Sequence, residues 1–296
     1  MSVMVVRADL ALVQDAGRSA YSHVGVPTSG AWDSDSYALA NWLLAESTLP
    51  LFEVLGGSLS LLFDEAACIC VVGPAKCDLS GQVSAIGVAQ LVSAGQHLLV
   101  SQNGPGPAYV GVAGMQVPRT LGSASTCRSG LGPPPISAGD RFETPATPTT
   151  LGRHLRPDHV RNFTGHINYL PDPEVAAHEL VGRGWALDTI ARNGLRLRAN
   201  YSTDGEPSNH PSGPVLPGTI QLPGPDELII LGPDSGPTGG YPIAGVVVSA
   251  DLPLLSRIPI GSGVELRPVK LAEAQLLWAK RDNWLAARRL DLGLMT

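Results

Sequence analysis

Apolar residues in this chain come in short runs that glycine, proline and serine interrupt, and the period within each run sets the element it predicts. Residues 1–15 alternate well enough for a first strand, Met4 to Leu12. Asp15 to Gly30 breaks that period and reads as a long Gly/Pro/Ser-punctuated loop. Asp33 carries an N-cap signal, and Tyr37, Ala40, Asn41 and Leu44 follow at helical spacing. Leu51 to Ala108 reads as several short strands, with turns at Gly56-Gly57, Gly73-Pro74, Ser80-Gly81, Gly95 and Gly104 to Pro107. Tyr109 to Ala113 has the continuous apolar character of a buried strand. Helical spacing returns from Lys270 to Arg289, through Leu271, Ala274, Leu277 and Trp278.

One phrase recurs. Val92 to Leu98, Ile136 to Phe142 and Ile258 to Val264 each place a glycine three residues after an apolar residue and a second apolar residue three later. This is a strand–turn–strand phrase suited to small β-barrels. Two copies close one stretch near residue 143, and the third closes another near 269. Thr144 to Thr150, with Pro145 and Pro148, reads as a linker between them. The pattern predicts two β domains: 1–143, and 151–296 with the C-terminal helix appended.

Composition sharpens that reading. The 296 residues include 34 Gly and 26 Pro, with 16% charged and 44% hydrophobic residues. That is too apolar for disorder and too rich in turn formers for a helical bundle, so the expected class is mainly β. The net charge of −6 gives no basic footprint for nucleic acid. Lys280, Arg281, Arg288 and Arg289 form one short basic stretch, read as the solvated face of a helix. Cys68 and Cys70 alternate in an apolar run, and none of the four cysteines forms a C-x-x-C pair, so buried free thiols are expected. No basic n-region with an apolar h-region opens the sequence, and no run reaches the ~18 apolar residues of a membrane span. A soluble, cytoplasmic protein is the expectation.

Common catalytic signatures are missing. There is no G-x-x-x-x-G-K-[ST], no G-x-S-x-G and no H-E-x-x-H, and His154 and His159 lack an obvious third ligand, so no metal site is expected. Two dense polar segments remain. The first, Val13 to Asp33, packs Asp15, Arg18, His23 and Asp33 among Gly17, Gly25 and Gly30. A long polar loop in a compact domain is more often functional than a mere connector. Arg18 suits a carboxylate or phosphate in fork geometry, and His23 suits proton transfer near neutral pH. The competing reading pairs Asp15 with Arg18 to hold the loop. The second segment comprises Pro217 to Pro223 and Asp234 to Pro242. Gln221 turns its amide away from Ile220 and Leu222. Thr238, Gly239 and Gly240 offer successive backbone N–H groups to an anion.

These residues carry a family resemblance. V-Q-D-x-G-R-x-x-Y-x-H-x-G-V-P-x-S-G-A-x-D runs from Val13 to Asp33, and L-A-N-x-L from Leu39 to Leu43. L-E-x-x-x-G-G is matched at Leu51 and Glu53 to Gly57, with Phe52 inserted. G-S-x-S-T stands at Gly122 to Thr126, P-G-x-I-Q-x-P at Pro217 to Pro223, T-G-G-Y-P at Thr238 to Pro242, and S-A-D-L at Ser249 to Leu252. In this order they resemble allophanate hydrolase subunit 2, also described as the C subunit of 5-oxoprolinase, the carboxyltransferase subdomain C/D family and the antagonist of a sporulation-kinase inhibitor. The match runs from about residue 10 to 275. It departs at Gly236, Pro237 and Ile243, where the family has Gln, Thr and Lys. Gly213 lacks the family's carboxylate, and Ala191 and Asn193 replace Asp and Met.

The resemblance implies two cyclophilin-like β-barrels and a partner, the subunit 1 homologue. It implies ATP-dependent hydrolysis of a small amide such as 5-oxoproline, or carboxyl transfer in the urea and allophanate context. ATP, with Mg, is the implied cofactor, and biotin is not expected on this chain. Asp15, Arg18 and His23 are then the expected catalytic groups. Gln221, Thr238, Gly239, Gly240 and Tyr241 are the expected substrate-binding set. Neither segment alone holds an anion clamp, a proton carrier and an oxyanion donor set, so both are expected to face one cleft. The alternative is a non-catalytic regulatory subunit that docks the subunit 1 homologue or a kinase inhibitor.

Overall fold

The computed structural model describes residues 2–127, 129–144, 151–156, 159–173, 180, 182–200 and 211–294. The chain divides into two compact units: 1–18 with 29–161 and 285–296, and 19–28 with 162–284. The first unit extends past Thr144 into described residues, through a bridge of Val88 with His154 and a hydrogen bond from Leu155 N to Gly87 O. The linker expected at 144–150 lies outside the described residues, Thr144 excepted.

The first unit is built on strands β1 (Ser2–Gln14), β2 (Leu51–Phe63), β3 (Ala67–Val72), β4 (Ala75–Leu79), β5 (Gln82–Ser84), β6 (Gln90–Val92), β7 (His97–Gln102), β8 (Ala108–Val112) and β9 (Arg141–Glu143), with helix α1 (Ser34–Leu43). They form one sheet in the order β5-β4-β7-β2-β8-β3-β6, with β1 added along β2 and β9 along β1. β1 outruns its predicted span because both ends find partners, Ser2 opposite Glu143 and Gln14 opposite Leu51. β2 passes straight through Gly56-Gly57, where a turn is predicted. The pair is instead a bulge, with the register to β1 slipping between Ala8 and Leu10. Gly57 takes φ 66°, and a Cβ there would stand 2.4 Å from Asp9 Oδ2, whose carboxylate accepts from Ser58 N.

The core of this unit is aliphatic, with Val5, Val13, Val54, Leu59, Leu61, Ile69, Val71, Val100 and Val110 fully buried. Phe52 meets Phe142 edge to face at 5.0 Å. α1 packs on β3 and β8. The carboxylate of Asp33 accepts from Asp35 N and Ser36 N, as the N-cap signal predicts. All four cysteines are buried thiols outside any disulfide, and the Cys70 thiol donates to Ala40 O inside this packing.

The second unit carries β10 (His166–Pro171), β11 (Trp185–Ala191), β12 (Gly194–Ala199), β13 (Gly213–Pro214), β14 (Thr219–Gly224), β15 (Glu227–Leu231), β16 (Thr238–Gly239), β17 (Ile243–Val247), β18 (Gly263–Pro268) and helix α2 (Leu252–Leu255), together with helix α3 (Leu271–Asp291) as far as Trp284, its last residues counting with the first unit. Seven strands close a barrel in the order β10-β17-β14-β15-β12-β11-β18. All neighbours are antiparallel except β10 and β18, whose parallel pairing shuts it. Alternating residues fill it, Leu195 and Leu197 on β12 and Leu228 and Ile230 on β15, as period 2 requires. Among its described residues, the first unit shows no such closure of its strand order. The architecture is mainly β, as predicted.

The recurring glycine phrase has a common job. Gly95, Gly139 and Gly261 all sit at positive φ, and their amides donate to strand carbonyls at Phe63, Val5 and Leu187. Among the described residues, no helix is long and apolar enough to cross a membrane.

Candidate functional site

Strand β1 ends by pairing its last residues with a distant loop. Val13 N donates to Thr126 Oγ1, Gln14 Nε2 to Thr126 O, and Asp15 N to Ser125 Oγ. The Asp15 carboxylate is then surrounded by donors. Ser123 Oγ and Ser125 Oγ each donate to its Oδ1 at 2.6 Å. Gly17 N donates to Oδ1 at 2.8 Å and Ala124 N to Oδ2 at 2.7 Å. Arg119 Nη1 forms an ion pair with Oδ2 at 3.0 Å. Burial pushes this carboxyl up, but the bonds from Ser123, Ser125, Ala124 and Gly17 outweigh it and hold Asp15 below the ordinary carboxylate range. The ion partner of Asp15 is Arg119, not the sequence-adjacent Arg18.

Arg18 is 2% exposed, and its Nη2 donates to Ser125 O at 2.6 Å. Gly132 makes room for it: at φ 77°, a Cβ there would stand 2.1 Å from Ser125 O and 3.0 Å from Arg18 Nη2. Among the described residues, Arg18 Nη1 is buried without a hydrogen-bond partner, and so are Ser29 Oγ, Trp32 Nε1 and Gln14 Oε1. Buried polar atoms are nearly always paired, so three donors and one acceptor left over in one short segment set it apart from ordinary packing. A guanidinium, an indole N–H and a hydroxyl suit an anion or a carbonyl oxygen.

A second network fixes the far end of the segment. Glu53 is fully buried on β2, and its Oε1 accepts from Trp32 N at 2.9 Å and from Tyr109 Oη at 2.7 Å. Tyr109 Oη in turn accepts from Asp33 N. Burial, then the charges of Glu53 and Asp33, push the Tyr109 phenol well above its usual range, so it stays a neutral donor. Gly30 seats the same stretch, since a Cβ there would stand 2.9 Å from Gly17 N. Glu53, Tyr109, Arg119, Ser123 and Ser125 are supporting residues that reading the sequence alone passes over. The signal for three of them lies in two of the motif phrases: G-S-x-S-T, whose serines serve Asp15, and L-E-x-x-x-G-G, which holds Glu53.

The other expected site residues belong to the second unit. His23 lies in the single turn Ser22–Val24, is exposed, and makes no side-chain hydrogen bond among the described residues. Gln221 is 3% exposed on β14, and its Nε2 is buried without a partner among the described residues. Gly239 lies against it: a Cβ there would stand 2.2 Å from Gln221 Nε2. Thr238 and Gly239 are less open than the sequence suggests, because they pair as β16 with Gly213–Pro214. Tyr241 is 43% exposed. Among the described residues, no group of three or more His, Cys, Asp or Glu side chains is placed to hold a metal ion.

Known proteins share this framework. The sequence matches the family described as carboxyltransferase domain, subdomain A and B, over residues 24–268, rather than the C/D pair that its motifs suggest. It is 29% identical over 305 residues to the C subunit of 5-oxoprolinase from Escherichia coli (strain K12), with 94% of each chain covered. It is 27% identical to urea amidolyase of Saccharomyces cerevisiae, covering 94% of this chain and 17% of that protein. The crystal structure of the K. lactis urea amidolyase superposes with a TM-score of 0.85 at 25% identity, over 97% of this chain and 20% of that one. The crystal structure of TTHA0988 superposes at 0.80 with 28% identity, over 90% of this chain and 56% of that one. The chain thus spans a fifth of the urea amidolyase it superposes on. The ordered motifs and the matching fold place this chain in the carboxyltransferase domain, subdomain A and B, family.

Proposed function

We propose that the chain is a subunit of a heteromeric, ATP-dependent amide hydrolase of the 5-oxoprolinase or allophanate hydrolase type, working in the cytoplasm with a subunit 1 homologue. The observation that carries this is the set of buried, unpartnered donors at Arg18 Nη1, Ser29 Oγ and Trp32 Nε1. End-to-end similarity to the C subunit of a 5-oxoprolinase supports it. The fit to ATP is one of charge, since a buried guanidinium with an N–H to spare suits a phosphate or an oxyanion. No side chain is assigned to Mg.

Bound ATP would supply the activated phosphoryl group that turns a poor amide oxygen into a leaving group. The chain's own part is positioning and charge. Arg18, held by Ser125 O, presents Nη1 to negative charge, and Trp32 Nε1 and Ser29 Oγ add neutral donors. His23, exposed and unpaired among the described residues, is the proton carrier in this reading. In the second unit, Gln221 Nε2 and the backbone of Gly240 and Tyr241, beyond the β16 pairing, are that unit's own donors for a carbonyl or carboxylate. Asp15 has its oxygens committed and acts by fixing Gly17 and Ser123–Ser125, as a positioning residue.

The test is ATP turnover with 5-oxoproline, urea and allophanate, for the chain alone and after co-expression with a neighbouring subunit 1 homologue. A stable hetero-complex with substrate-stimulated turnover is expected. In that complex, Arg18→Lys keeps the charge but not the fork, and kcat/KM should fall at least about tenfold. A complex that forms without turnover on any amide would favour a regulatory docking subunit, to which the Thr238–Gly239 ladder and the departures at Gly236, Pro237 and Ile243 already lend weight. No complex and no turnover would end both readings.

A further inference from the structure

A cavity of about 800 Å³ opens in the first unit, and none of the unpartnered donors of the 13–33 segment lines it. Its apolar wall is Leu49, Met115, Val117 and Phe142. Its polar groups are unevenly used. Glu46 and Glu143 line it, and neither carboxylate has a hydrogen bond or ion pair among the described residues. Arg141, also on the wall, is committed to Asp64 at 2.8 Å. Arg119 is half committed. Its Nη1 serves Asp15 and Gly122 O, while its Nη2 has, among the described residues, only Thr48 O at 3.4 Å. Its side chain is 44% exposed.

Two carboxylates without a protein partner among the described residues suit a cation with hydrogens to donate, and an under-used guanidinium suits a carboxylate. Both on one cavity with an aliphatic and aromatic wall describe a zwitterion with an apolar side chain. We propose that this cavity binds a free α-amino acid with an apolar side chain, its ammonium on Glu46 and Glu143 and its carboxylate on Arg119 Nη2. A simple cation would leave Arg119 unused, and a simple carboxylate would face two repelling anions. Arg119 also holds Asp15, so occupancy fixes the guanidinium on which the Asp15 network leans and couples this site to the 13–33 segment.

The test uses the full chain and calorimetric titration with L-leucine, N-acetyl-L-leucine and L-leucinamide, each to about 10 mM, a range that reads millimolar affinity. Leucine should bind. The acetylated form, lacking the ammonium, and the amide, lacking the carboxylate, should each bind at least about tenfold more weakly. Glu143→Gln alters an exposed, unpaired side chain and leaves the fold intact, so weaker leucine binding in that variant reads the site rather than the stability. Absence of leucine binding by the parent chain, equal binding of the acetylated form, or unchanged affinity in Glu143→Gln would each overturn the proposal.

Discussion

Asp15 shows how one side chain can organise two segments more than a hundred residues apart in sequence. Its carboxylate is charged and held by short bonds, each worth roughly 1.5–3 kcal/mol when one partner is ionised. Asp15→Asn keeps the shape but loses the charge and turns one acceptor into a donor facing donors. Unfolding free energy should fall by about 2–4 kcal/mol, read from denaturant melts. The sign with pH follows from the depressed folded value. The contribution is present in full above the unfolded pKa of about 3.9 and drains away as pH falls through the lower folded value. The parent should therefore lose stability steeply below about pH 4, and the variant should show a shallower acid limb. An unchanged limb would mean that other carboxylates set the acid response. The sequence made Asp15 visible but not its partners. Adjacency suggested Arg18, yet chain proximity does not fix side-chain direction, and Arg119 reaches Asp15 from a loop that local spacing does not report.

Elements were legible where one period ran unbroken. α1 was readable from Asp33 and its apolar spacing, and β8 from its continuous run. Glycine was harder to read, because the same residue serves as turn, bulge and spacer. Gly57 is a bulge within β2, and Gly132 is a spacer against Ser125 and Arg18. Two substitutions separate conformational strain from collision. At Gly81, with φ 88° and nothing within 4 Å, alanine should cost about 1 kcal/mol, the left-handed penalty alone. At Gly132, with φ 77° and a backbone oxygen at 2.1 Å, the Ser125 loop must move. Gly132→Ala should cost about 3 kcal/mol or more and lower turnover of the complex by displacing Arg18. Equal costs at the two sites would show that the loop yields freely.

At the scale of the molecule, the apolar, turn-rich sequence foretold a mainly β protein, but not how the chain is shared out. The first unit draws on residues 285–296 as well as the N-terminal half, a contribution with no signature in composition or period. Within that unit Leu292 is 6% exposed, Arg156 pairs with Asp291, and Arg289 lies 5.8 Å over the Trp42 ring. A chain ending at Trp284 should lose about 1–3 kcal/mol of stability in the first unit, from one buried leucine and one cation–π contact. Hydrogen exchange would read this as faster exchange in α1, with β11 and β12 unchanged. Uniformly faster exchange would mean that the tail braces the whole chain.

The parallel pairing that shuts the barrel joins β10, its first strand, to β18, its last. On the ribosome, β10 emerges long before β18 exists, and its outer edge stays unpaired until Pro268 has cleared the exit tunnel. An open strand edge is the surface that other nascent chains can extend. Pairing so distant in sequence also slows closure once the last strand arrives. The interval between synthesis of β10 and arrival of β18 is therefore when this polypeptide depends most on chaperones, and when slower translation or excess expression would divert it into aggregates.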